Sequence, residues 1–458
     1  MQRKVDNMRI GRRGFSLITV GLFTVCCCGL VAAAALTPEQ RLGKELFVDP
    51  ISTPAQAVSC ASCHAPQVGF VGPNTGINLH GGVYRGAVPT RFGNRKPPSA
   101  AYATLSPVFH FDDDEGLFVG GNFWDGRATG DRLGNPAADQ AGGPFLNPVE
   151  QNMPDKQSVC MHVAGARYAD LFREVWGADS LDCSSAGVEL TYDRIALSIA
   201  AYEDSPEVNA FSSKYDRWLV GTAELTTQET WGLELFNGKA MCAACHISEV
   251  GPNGEKPLFT DYTYDNLGVP RNPENPFYQM DTVYLDDGSA INPLGRDWVD
   301  YGLGEFLANQ SNPDWAAMAD ESMGKQKVPT LRNVAKVFGH RTPKAFGHNA
   351  YFKSLESIVH FYNTRDAKPV CPDPFTSEKD ALAAGCWPAP EVGMNVNITE
   401  LGNLGLTAAE EAAVVAFLHT LSDGYLERGV SRNRAARPDE VQREAIDGGD
   451  AARLPARR

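Results

Sequence analysis

A chain of 458 residues is too long for one ordinary hydrophobic core, so two or three domains are expected. Its 43% hydrophobic and 21% charged residues are those of a soluble globular protein, which excludes a collagen-like or wholly disordered chain. A formal charge of −15 argues against nucleic acid as a partner.

Residues 1–35 read as a signal peptide. "MQRKVDNMRIGRR" is basic, the following run is apolar, and small residues around Ala33–Ala35 suit cleavage. Met8 is an alternative start, and "RRGF" faintly resembles a twin-arginine signal. The apolar run is also long enough to span a bilayer, so a retained membrane anchor is the competing reading. Losing this segment, with five Lys/Arg and one Asp, takes the formal charge from −15 to −19. Such a surface could steer a basic partner such as a small cytochrome, although a solvated acidic face explains it equally well.

A repeat follows. "LTPEQRLGKELF" precedes "CASCH", and "LTTQETWGLELF" precedes "CAACH". Each has a Thr N-cap (Thr37, Thr226) with Gln40 or Glu229 three residues on, the capping-box pattern, followed by apolar residues at helical spacing. Further helices are expected in "TYDRIALSIAAYEDS", "FSSKYDRWLVG" and, capped by Thr407, "TAAEEAAVVAFLHTLSDGY". "KPPSAAYATLSP" and "PRNPENPFYQMDTVYLDDGSAINPLG" read as long irregular loops, and no run of alternating strands stands out. Residues 427–458 lack aromatics and read as a disordered tail. The fold class is mainly α: two tandem cytochrome-c-like domains, 36–220 and 221–426, with long irregular loops.

Cys60-x-x-Cys63-His64 and Cys242-x-x-Cys245-His246 have three readings: haem c attachment with the His as proximal iron ligand, half of a zinc site, or a redox dithiol. A zinc site would pair its CxxC units closely, whereas these stand 182 residues apart, and a dithiol has no need of the His. Two covalently bound haem c groups are therefore expected. Cys26, Cys27 and Cys28 leave with the signal. Cys160, Cys183, Cys371 and Cys386 remain, and two local disulfides, Cys160–Cys183 and Cys371–Cys386, suit an oxidising compartment. Three pairings are open, as are free buried thiols. An iron with two strong ligands carries electrons, and one with an open face binds peroxide. The other His residues (His80, His110, His162, His340, His348, His360, His419) are structural or solvent-facing unless spacing selects them.

"SCASCH", "KPPSAAY", "FWDGRA", "QAGGPFLNPVEQ", "CAACH", "KVPTLRNVA", "GHNAYFKSLESIVHFYN" and the last helix together resemble the bacterial di-haem cytochrome c peroxidases and their MauG-like relatives, over about residues 36–425. The resemblance implies a peroxidatic haem in the N-terminal domain, an electron-transfer haem in the C-terminal domain, and a Trp between them, here Trp124. It places Gln140, Pro144 and Glu150 in the peroxidatic pocket. Glu150 is the expected acid/base, because O–O heterolysis needs a group that takes one proton and returns it to the leaving oxygen. Gln140 would hydrogen-bond the bound oxygen. Asp125 and Arg127 would support haem propionates or the loop, and the "TGDRLGN" insertion leaves that edge of the site open.

His80, sixteen residues past His64, stands where some relatives cap the peroxidatic iron, but its surroundings diverge and an exposed loop His competes. Tyr362, fourteen residues after His348, occupies the position of the second iron's Met ligand in cytochrome-fed peroxidases and matches the Tyr of MauG. The competing readings are a core Tyr bonded elsewhere, and ligation by His360. Calcium binding is doubtful: Asn94 fits the family's ligand only with a shifted register, and the Thr-x-Pro element reads Pro343-Lys344-Ala345. The leading function is periplasmic reduction of hydrogen peroxide with electrons from a small cytochrome or cupredoxin. The alternatives are MauG-like oxidation of Trp or Tyr in a partner protein, a non-enzymatic di-haem electron carrier and, more distantly, a zinc module. A homodimer stays open.

Overall fold

The computed structural model describes residues 35–426 except 286 and 338–342. The expected signal peptide, the expected disordered tail and His340 lie outside the described residues.

Helices dominate, joined by long irregular segments. α1 (Pro38–Val48) and its counterpart α5 (Thr227–Asn237) both begin in the expected capping boxes, Thr37 with Gln40 and Thr226 with Glu229. α2 (Cys60–Cys63) is a single turn carrying the first thiols, and α3 (Pro136–Ala141) carries Gln140. α4 (Val188–Glu203), α6 (Leu355–Thr364) and α7 (Ala408–His419) complete the frame.

The repeated glycine explains how these helices meet. A Cβ on Gly43 would lie 1.8 Å from Ser198 O in α4, and one on Gly232 would lie 2.0 Å from Ala413 O in α7. Only glycine lets α1 reach α4, and α5 reach α7, backbone to backbone. Around the first crossing lies a core with Leu42, Leu46, Phe47, Phe145, Phe172, Ile195 and Ile199. Around the second lies a core with Leu235, Phe236, Phe259, Val414, Phe417 and Leu418. The helix Lys214–Leu219, on the N-terminal side of the expected boundary at 220, packs into this second core through Tyr215 and Trp218.

Three short antiparallel ribbons were not legible in the sequence. His110–Asp112 pairs with Leu117–Val119, Tyr264–Asp265 with Gln326–Lys327, and Val283–Tyr284 with Ala290–Ile291 inside an expected loop. Two or three residues per strand give no periodicity to read. Both expected local disulfides are formed, with Cα atoms 5.6 Å apart at Cys160–Cys183 and 5.1 Å apart at Cys371–Cys386.

Candidate active site: two CxxCH motifs in one cavity

Cys60, Cys63, Cys242 and Cys245 carry free thiols, although the other four described cysteines are paired. All four line one continuous cavity together with His64 and His246. It takes in about 3320 Å³ of empty space, its opening to solvent included. Burial raises every one of these thiols, Cys63, Cys242 and Cys245 to about 12. Without a metal they are therefore thiols rather than thiolates, which does not suit a redox dithiol. Cys245, Asp265 and Glu400 lie close enough to face one cation, but both carboxylates already accept from the Asn397 amide at 2.7 Å.

The two histidines are held alike. His64 Nδ1 is 3.1 Å from Phe70 O, and His246 Nδ1 is 2.8 Å from Phe259 O. A carbonyl only accepts, so the proton sits on Nδ1 and the Nε2 lone pair is left for a metal. Burial lowers both imidazoles, His246 to about 4, which keeps them neutral. Phe70 (φ 57°) and Phe259 (φ 55°) are both in the left-handed region, a costly conformation for a bulky residue that aims each carbonyl at its histidine. Sequence reasoning missed this pair. The phenylalanine comes six residues after His64 but thirteen after His246, so a longer loop hides the match.

The lining also includes Gln140, Pro144, Arg127 and Glu150, and Glu150 lies near enough to Cys63 to act on its thiol. The Glu150 backbone is pinned: its carbonyl accepts from Ala87 N at 2.6 Å, and its N–H donates to Asn147 O at 3.0 Å. A Cβ on Gly86 would stand 2.4 Å from both Glu150 O and Val149 O, so the segment opposite must be glycine there. Burial raises the Glu150 carboxyl above its ordinary range, against the pull of Arg127 and the Asn147 side chain. Gln140, at the end of α3, has no side-chain hydrogen bond among the described residues, so its amide remains available to a ligand.

Trp124 is buried in the wall of the same cavity. Its Nε1 donates to Lys96 O at 2.8 Å, its carbonyl accepts from Lys327 N at 2.8 Å, and its ring centroid is 6.4 Å from that of His348. The indole thus touches both halves of the chain. Beside it Arg95 grips Asp300 with two bonds of 2.6 and 2.7 Å and also donates to Asp125, which in turn accepts from Arg127. Asp125 and Arg127 therefore serve this bridging network. Buried His348 is neutral, lowered to about 4 by burial despite nearby Asp300.

Tyr362 faces the cavity with Cys242, Cys245 and His246, and its hydroxyl makes no hydrogen bond among the described residues. Burial pushes its phenol well up. His360, two residues back on α6, turns elsewhere and holds Glu411 at 2.9 Å. His80 does not line the cavity. It follows the short helix Thr75–Leu79, its ring is 74% exposed beside Glu274, and its carbonyl accepts from Lys353. In this arrangement it is a surface histidine, which is the competing reading of that position.

Residues 37–224 match the family model described as di-haem cytochrome c peroxidase. The methylamine utilization protein MauG of Paracoccus denitrificans is 34% identical over 400 residues, covering 87% of this chain and 92% of that protein. The chain belongs to the di-haem cytochrome c peroxidase family. The cytochrome c551 peroxidase of Nitrosomonas europaea is 29% identical over 251 residues, 53% of this chain and 60% of that one. The di-haem peroxidase BthA of Burkholderia thailandensis superposes with a TM-score of 0.66 at 29% identity, over 86% of this chain and 88% of that one. As a member of this family the chain is an oxidoreductase with two c-type haems. The site fits them: two thiols and one histidine line the cavity in each half.

Proposed function

We propose that this chain is a periplasmic di-haem peroxidase, with haem c bound covalently through Cys60/Cys63 and Cys242/Cys245 and ligated by His64 and His246. The observation carrying the proposal is the difference between the two ends of one cavity. A carboxyl raised by burial, Glu150, lies beside the first motif, Tyr362, with no hydrogen bond among the described residues, lies beside the second, and Gln140 lines the same cavity. Bound haem would supply an iron that takes peroxide at an open face and a second iron that stores electrons. Glu150 takes a proton from the near oxygen of hydrogen peroxide and delivers it to the far oxygen, which departs as water. Gln140 donates its amide hydrogen to the oxygen that stays. Two electrons and two further protons complete the reduction to two waters. Trp124, in contact with both halves, lies on the path those electrons take.

The electrons come from a small cytochrome or cupredoxin. A second reading, favoured by Tyr362, draws them from Trp or Tyr residues of a partner protein. A phenolate oxygen, harder than a thioether, lowers the potential of its iron and weakens its pull on a conventional donor.

Intact mass should show two added haems on the mature chain. Steady-state turnover with peroxide and a reduced cytochrome should follow. Peroxide consumption without cytochrome oxidation, with oxidised residues on a co-isolated partner, selects the second reading. A two-haem protein that leaves peroxide untouched is an electron carrier, and the proposal fails.

A further inference from the structure

The family resemblance implies a calcium ion held by an Asn side chain and carbonyls from both halves. The residues here do not fit it. Pro343 O, one of the matching carbonyls, accepts from Asn78 Nδ2 at 3.0 Å. The side chain of Lys344 runs inward, 7% exposed, with Nζ 3.0 Å from Val68 O and 2.9 Å from Asn333 O. One carbonyl belongs to the first half and the other to the second. A second amine, Lys96, is near enough to act on it: burial first, then Lys96 and Lys336, push the Lys344 amine well down. Whether neutral or charged, the amine has at least two N–H donors for the two carbonyls. A divalent cation needs free oxygen ligands and would meet two amines instead.

Both carbonyls sit at sensitive positions. Val68 is two residues before Phe70, whose carbonyl orients His64. Between them, Gly69 lies against Asn333 so closely that a Cβ would stand 2.7 Å from Asn333 Cβ. Asn333 is itself tied to the end of α7: its N–H donates to Leu421 O at 3.0 Å, and its side chain exchanges two 2.8 Å bonds with Asp423. We propose that Lys344 is a positioning residue that replaces a bound cation, clipping the loop that orients His64 to the second half so that the protein works without calcium.

The test uses the mature two-haem protein and calcium itself as the probe. After dialysis against a calcium chelator, metal analysis should find well under one calcium per chain. The paramagnetic resonance spectrum of both ferric haems should be unchanged by the chelator and by added calcium. Lys344→Met keeps the stem and removes the donors. It should shift the signal of the His64-ligated haem and leave that of the other in place, and Lys344→Arg should restore it. A stoichiometric calcium whose removal alters the spectrum overturns the proposal, as does a Lys344→Met spectrum identical to wild type. If Lys344→Met does not fold, the calcium measurement on the wild type still decides. Neither measurement depends on peroxide turnover, so failure here is distinct from failure of the peroxidase reading.

Discussion

Replacing Glu150 with Gln tests the proton-transfer assignment with little structural disturbance. The side chain is isosteric, and the bonds that hold this residue in place, Ala87 N to Glu150 O and Glu150 N to Asn147 O, are backbone bonds that survive the change. What is lost is the carboxylate that accepts a proton. A positioned acid/base is worth roughly 10²–10⁴-fold, about 3–5 kcal/mol of barrier at 1.36 kcal/mol per decade. The wild-type pH profile carries a second signature. Burial raises the folded carboxyl above its ordinary 4.5, so the base form is scarce below the raised value and grows as pH rises through it. The rate of the peroxide reaction should therefore climb with pH above 4.5, the ordinary value, and level off. In Glu150→Gln that limb should be absent. Stopped-flow mixing with peroxide, followed at the haem absorption, reads both effects with haem content fixed at two by mass. A variant reacting at the wild-type rate, with the same pH limb, would refute the assignment.

Tyr362→Phe should remove the low-spin His/Tyr resonance signal of the second haem while two haems remain; an unchanged spectrum returns Tyr362 to the core. Asp216→Asn should lower stability by about 3–5 kcal/mol, because it leaves Arg332, whose side chain is 0% exposed and bonded to Asp216 at 3.0 and 3.1 Å, without its counter-charge. The wild-type pair has a pH signature as well. The Asp216 carboxyl is held below its ordinary value by Arg332 and Ser213 against burial, so its stabilisation is present above pH 3.8 and lost as pH falls through the folded value. Urea midpoints measured across acid pH check both statements. Gly232→Ala should destabilise by about 1–3 kcal/mol despite alanine's better helix propensity, because the added Cβ meets Ala413 O at 2.0 Å; a raised melting temperature would contradict the close-crossing argument.

Local signals in the sequence carried far. Thr37, Thr226 and Thr407 cap helices because a hydroxyl three residues before an N–H is a contact between near neighbours. CxxCH and the spacing to Tyr362 are likewise set within single segments. What the sequence hid depends on distant chain. Lys214–Leu219 packs forward across the expected boundary because Tyr215 finds Phe259 and Phe417 there, which helical spacing alone does not reveal. His80 and Tyr362 were both selected by spacing, yet only Tyr362 faces the cavity. Tyr362 is on a three-turn helix that fixes its direction, whereas His80 follows a helix of only five residues and its ring faces solvent. The Arg95–Asp300 pair and the Lys344 bridge join residues far apart in the chain, and no periodicity announces them.

The shared cavity also constrains how the protein matures. Its walls include residues from both cores, among them Ile199 of the first and Phe236, Val414 and Leu418 of the second, and no described residue fills the space between. The four free thiols line those walls. On the proposed covalent attachment, loading would belong to a stage when the chain is still open, and closure of the interior would wait on both prosthetic groups. A chain that closes before it is loaded would then present its apolar interior to the cell's quality control. Yield in a foreign host would be set by the supply of haem before it is set by the stability of the finished fold.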